Sequence, residues 1–387
     1  MHALATWLGR GTSLRALVAL LAAWCALAST GAAHAFDWTV EVTPGGGLYP
    51  VLALSQGPAA TPAGTRHGLV IVRLAGSDLP ARVAVEIASP GLHARLEQAT
   101  TRGPAVELRP PLEWDLDALR QLRQPRDQVL EATLRGSDGS IRRQRLAVRL
   151  HPLDEAPYFV REDGHAVDLG WIFAAYVDPG DPVVDAVLAR ARQLDPAFDR
   201  GRGAAADLRR AGAVWAALEQ HGLRYADGDP AIARGPVVWS QRVRRPAQVW
   251  REGRANCIDA SVLLASVFER LGLQPAIVLV PGHAFAGFRG TRAGAPLQYL
   301  ETTVLGMAHA GATPAERFRA ARRAGQASWQ RAASRLDGRH GPDYALVDIG
   351  TARAYGIIPP GSTTRAAAHP SVAAPAPAGQ SPGSGSP

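Results

Sequence analysis

Residues 254–288, RANCIDASVLLASVFERLGLQPAIVLVPGHAFAGF, and residues 297–303, LQYLETT, carry the reading that decides how this chain folds. From Ala260 to Phe268 no residue is charged and apolar residues surround the helix axis, the pattern of a helix buried in a core. Asn256 predicts its N-cap, Asp259 stands where it can complete a capping box, and Gly272 predicts its C′ end. Cys257 then opens the first turn. Free N–H groups and the helix dipole there favour an anion, which makes a nucleophilic thiolate more available.

After the helix, Ala276–Val280 predicts a buried strand, Pro281-Gly282 a turn, His283–Phe288 a returning strand and Leu297–Thr303 a third. A hairpin of the last two centred on Arg292 sets His283 directly opposite Glu301, with Cβ atoms about 5 Å apart. A slip of one residue would turn Glu301 to the other face. Taken singly, a cysteine in an apolar helix reads as core, and a histidine beside Pro-Gly as a turn residue. Together, and with a facing carboxylate, Cys257, His283 and Glu301 read as nucleophile, general base and orienting group.

The ends are expected to lie outside the fold. Arg10 and Arg15, the apolar run Ala16–Leu27 and Ala33-His34-Ala35 form a signal-peptide pattern over residues 1–35, with Phe36 opening the mature chain. The run is too short for a membrane span, and no second one follows, so an exported, periplasmic or secreted product is expected. Residues 361–387 are almost all Ala, Pro, Ser, Gly and Thr and predict a disordered tail. Removing the signal leaves Cys257 as the one thiol, so no intramolecular disulfide can form.

The formal charge of +8 drops to +6 when Arg10 and Arg15 leave. There is no lysine; all 42 basic residues are arginine, scattered among acids. No basic stripe with interleaved aromatics points to nucleic acid. The eleven histidines are dispersed, with no HExxH, CxxC or acidic cluster of metal spacing. Neither a Gly-x-Gly-x-x-Gly or Walker loop nor a Gly-x-Ser-x-Gly turn is present, so no cofactor and no serine nucleophile are implied.

Residues 36–155 predict an all-β, sandwich-like domain. Alternation in Trp38–Val42, Leu69–Val72 and Ala81–Ile87 marks strands, and Val129–Leu134 pairs with Ile141–Leu150 across Gly136-Ser137-Asp138-Gly139. Leu116–Leu122 interrupts them with helical spacing. Residues 156–360 predict an α+β domain. Asp181-Pro182 opens one helix; a second, carrying Leu208, Ala211, Val214, Trp215 and Leu218, stops at Gly222; Thr313-Pro314-Ala315-Glu316 is a capping box for a third, reaching about Leu336. The arginines of that last helix read as a solvated face.

In these residues the chain resembles the transglutaminase-like superfamily. The likeness rests on Gly253-Arg254, Asn256-Cys257, Asp259, Pro281-Gly282-His283-Ala284-Phe285 and Leu300-Glu301-Thr302-Thr303, and extends from about Trp171 to Pro360 with Leu346–Ile349 and Ala352-Arg353. It implies a papain-like α+β core, with a central helix packed on an antiparallel sheet. It also implies Cys257 as nucleophile, His283 as base and acid, and Glu301 where the family has aspartate. Asp348 is the alternative third member and Gln241 a candidate oxyanion donor. The expected activity is amide hydrolysis or amine transfer through a thioester, on peptides, proteins or cell-wall crosslinks. The alternative is a non-catalytic binding scaffold.

Overall fold

The computed structural model describes residues 36–57, 70–100, 105–162, 164–226, 232–307, 311–360 and 362. The expected signal peptide with Cys25, Leu69, and the expected tail apart from Ser362 lie outside the described residues. In chain order the N-terminal part holds β1 (Asp37–Val42), β2 (Gly47–Leu48), α1 (Pro50–Leu54), β3 (Val70–Ala75), β4 (Arg82–Ser89), β5 (Leu92–Ala99), β6 (Ala105–Leu108), β7 (Glu113–Trp114), α2 (Leu116–Gln121), β8 (Arg126–Gly136) and β9 (Ile141–Leu150).

β1, β3 and β6 form one sheet, and β2-β9-β8-β4-β5-β7 a second. Side chains alternate across each strand, so Val40, Val72 and Leu74 of the first sheet meet Val85, Ile87, Leu130 and Leu134 of the second in one core. The β8–β9 hairpin has Arg135 opposite Ile141, and Gly139 takes a φ of 84° in its turn. Asp115 caps α2 by accepting from the N–H groups of Asp117 and Ala118.

The C-terminal part is mixed α+β. It runs β10 (Glu155–Glu162), β11 (His165–Asp168), α3 (Pro182–Leu194), α4 (Ala204–His221), β12 (Arg224–Tyr225), β13 (Ile232–Arg234), β14 (Val238–Arg242), α5 (Pro246–Glu252), β15 (Arg254–Ala255), α6 (Cys257–Arg270), β16 (Gln274–Val280), β17 (His283–Arg289), β18 (Gln298–Leu300), α7 (Pro314–Ala332), β19 (Ala345–Asp348) and α8 (Ile349–Ala354). Its sheets are β18-β17-β16-β19, β11-β10-β14-β13 and the pair β12-β15.

Helix α6 separates two cores. Ala260, Leu263, Leu264, Val267 and Phe268 pack with Trp215 of α4 and Phe288 of β17. Ile258, Val262 and Ala265 pack with Tyr158, Phe173 and Ile277. Leu263, Leu264, Val267 and Phe268 are wholly buried, and each such side chain contributes about 1.5–3 kcal/mol by leaving water. The other helix signals also have structural counterparts: Asp181 caps α3, Gly222 ends α4 in the left-handed region, and the Thr313–Glu316 capping box opens α7. α7 stops at Ala332, and a 3-10 turn covers Ala333–Arg335.

The two parts are interlocked. Tyr49, Val51 and Leu52, which precede most of the sandwich strands, are buried in the C-terminal core with Phe173, Ile258 and Val262. Gln56 forms a bridge with Ile357. Sequence patterning treats this short segment as part of the β-domain because local alternation carries no information on which core receives it.

The third strand of the 276–303 meander is shorter than its pattern predicts. β18 ends at Leu300, and Glu301 caps a 3-10 turn over Thr302–Val304. Its register with β17 is also two residues away from a hairpin centred on Arg292: Ala286 pairs with Leu300 and Phe288 with Gln298. Continued one rung, that register sets Glu301 opposite Phe285, with His283 diagonal to it on the same face. The loop length and the packing of α7 over β18 decide this, and neither is written in the strands.

Candidate active site

Three elements converge at one end of the β18-β17-β16-β19 sheet. α6 presents Cys257 at its first position, behind Asn256, whose side chain accepts the Asp259 N–H at 3.0 Å. β17 begins with His283 as it leaves the Pro281-Gly282 turn, where Gly282 has a φ of 71°. Glu301 follows the last residue of β18. The Thr302 hydroxyl donates to the Cys257 carbonyl at 3.3 Å, tying the 3-10 turn to the start of α6.

His283 Nε2 lies 3.0 Å from Glu301 Oε1 and 3.1 Å from Oε2. The carboxylate is held from three further directions. The Thr303 N–H and hydroxyl donate to Oε1 at 3.2 and 3.0 Å, and the Ser328 hydroxyl of α7 donates to Oε2 at 3.1 Å. Glu301 is buried and His283 about one-quarter exposed. Cys257 is half-buried.

Burial alone would lower the pKa of His283. Interaction with the Cys257 sulfur and the hydrogen bond and charge of Glu301 outweigh it and raise the imidazole to about 9. Glu301 shows the complementary balance: burial would raise its carboxyl, but His283 and Thr303 hold it below the ordinary range. His283 thus interacts with both the Cys257 sulfur and the Glu301 carboxylate.

No known family model matches this chain, and no curated protein matches it.

The other two candidates stand apart. Asp348 ends β19 opposite Ala276, well down the sheet from the Val280–His283 rung. It accepts from Arg289 at 2.9 Å and caps α8 through the Thr351 N–H at 2.8 Å. Gln241 lies on β14 opposite Ala156, in the other four-stranded sheet, and bonds to none of the three. Asp259 is turned mainly to Arg244 rather than serving chiefly as a capping-box acid. Arg244 donates to it from its backbone N–H at 2.8 Å and from Nε at 2.8 Å.

Ser328 was not singled out from the sequence. It lies on an arginine-rich helix 27 residues beyond Glu301, and no local pattern marks it. Thr303 had a signal, its place directly after Glu301-Thr302. Among the described residues no group of three or more His, Cys, Asp or Glu could hold a metal ion. None of the helices described is long and apolar enough to cross a membrane.

Proposed function

We propose that this protein is an exported, thiol-dependent acyl-transfer enzyme with a transglutaminase-like, papain-like core. The observation that carries the reading is the imidazole of His283, which interacts with the Cys257 sulfur and bonds to a carboxylate held by three further donors. Nε2 is committed to Glu301, which leaves Nδ1 for the thiol. An imidazole raised to about 9 keeps a proton at neutral pH, available to a leaving amine.

Cys257 sulfur attacks an amide carbonyl carbon. As the C–N bond breaks, His283 gives its proton to the departing amine, and the acyl group remains as a thioester. His283 then takes a proton from water as the new C–O bond forms and the C–S bond breaks, which returns the thiolate and completes hydrolysis. An amine in place of water gives transfer. The chain has no lysine, so it cannot crosslink its own copies through lysine amines, and this favours hydrolysis. The signal-like N-terminus directs the activity to peptides or cell-wall crosslinks outside the cytoplasm.

Cys257→Ala tests the reading. Amide cleavage or amine incorporation should fall by about 10³-fold or more, with little change in melting temperature. A variant as active as the parent overturns it. Native Cys257 should also alkylate rapidly, and faster than in His283→Gln. A thiol that reacts only after denaturation favours the scaffold alternative.

A further inference from the structure

Two sheets of the C-terminal part end in edges that line one groove. β19 closes the order β18-β17-β16-β19 and β11 closes β11-β10-β14-β13, and no described strand pairs with the outer side of either. The 3-10 turn Gly170–Tyr176 that follows β11 meets β19 at Gly170, where an added Cβ would lie 3.8 Å from the Ala345 methyl. Beside this contact lies a cavity of about 620 Å³. One wall carries Val167, Asp168 and Trp171, the other Ala345, Asp348 and Tyr355.

The groove leads toward the candidate active site. Ala345 is opposite Leu279, whose neighbour Val280 pairs with His283. β16 alone separates β19 from β17, so this end lies about 10 Å from His283, the span of about three residues of extended chain. A strand edge that pairs with no other strand offers alternating N–H and C=O groups to an added strand. The walls offer apolar surface, with Tyr355 59% exposed.

Charge narrows the occupant. The chain has 42 arginines, yet the charged residues lining the groove are two aspartates. Asp348 is neutralised by Arg289. Asp168 accepts only the Gly170 N–H, at 2.7 Å, and has no cation partner among the described residues. We infer that the groove binds an extended peptide as an added strand on β19, and that Asp168 selects a segment bearing an ammonium or guanidinium group. That this peptide is the substrate rests on the acyl-transfer reading; that it binds does not.

The test reads binding, in the full chain carrying Cys257→Ala so that nothing is turned over. The probe is a fluorescein-labelled acetyl-Val-Ala-Val-Lys-Ala-Val amide followed by anisotropy. It is compared with a version in which glutamate replaces lysine and one N-methylated at alternate residues. Saturable binding is expected, weaker by about tenfold or more for the glutamate peptide and for the N-methylated one. Asp168→Asn, which keeps an acceptor for the Gly170 N–H, should reduce the lysine preference to about threefold or less. Absence of binding, equal binding of the N-methylated peptide, or an undiminished lysine preference in Asp168→Asn overturns the inference and leaves the acyl-transfer reading standing. An active Cys257→Ala enzyme that still shows the expected binding overturns only the latter.

Discussion

His283 and Glu301 are diagonal across β17 and the end of β18, yet His283 Nε2 reaches both carboxylate oxygens, at 3.0 and 3.1 Å. Diagonal neighbours on a sheet face are about 7–8 Å apart, against about 5 Å for residues directly opposite. The longer side chain of glutamate covers that difference. The same position filled by aspartate would fall short by one methylene.

Glu301→Asp is therefore expected to lower kcat/KM by about tenfold, and Glu301→Gln by about 100-fold. Both changes should also move the alkaline limb of the pH–rate profile to lower pH, because Gln removes the charge that raises His283 and Asp draws that charge back out of hydrogen-bond reach. Steady-state kinetics from pH 5 to 10 check this. A uniform rate loss with an unmoved profile would limit Glu301 to a structural role.

The same pair makes stability depend on pH with a definite sign. His283 is raised from 6.5 to about 9 in the folded chain, so its contribution is complete below about pH 6.5 and is lost as pH rises through 9. Glu301 is lowered from 4.5, so its contribution is present above that pH and is lost as pH falls. Urea unfolding should show wild type more stable than His283→Gln at pH 6. The difference should shrink by about 1–3 kcal/mol by pH 10. A difference that grows with pH contradicts this assignment.

Gly325 presents a sign reversal. Within a helix, glycine to alanine ordinarily stabilises by about 1 kcal/mol. A Cβ on Gly325 would lie 2.6 Å from the Tyr299 carbonyl carbon and 2.7 Å from the Leu300 nitrogen, both backbone atoms. Gly325→Ala should destabilise by about 1–3 kcal/mol. It should also lower activity by drawing Ser328 away from Glu301. Chemical denaturation and kinetics on the one variant read both effects.

Arg244 and Asp259 hold the start of α6. Asp259 is 1% exposed; burial pushes its carboxyl up, and Arg244 opposes that push at 2.7 Å. Arg244→Met leaves the acid buried without its partner and should cost about 3–5 kcal/mol. Adding Asp259→Leu should recover part of the loss. Thermal and urea melts of the single and double variants measure it.

Much of this architecture is local in origin and could be read from the chain. The charge-free run Ala260–Phe268 announces a helix buried on all sides, Asn256 its start, and the alternation of Val129–Leu134 and Ile141–Leu150 a hairpin. Cys257, His283 and Glu301 were legible because each sits at the boundary of such an element. The pairing register of β18 was not. A shift of two residues keeps the same side chains on the same face, so the hydrophobic pattern cannot distinguish the two alignments. Tertiary structure alone decided that shift and excluded Asp348 from the site by giving it to Arg289. It also brought Ser328 to Glu301 and sent Tyr49–Leu52 into the distant core. Each of these joins residues far apart in sequence. Periodicity fixes which way a side chain faces along its own element, whereas the neighbour it meets depends on how whole elements pack.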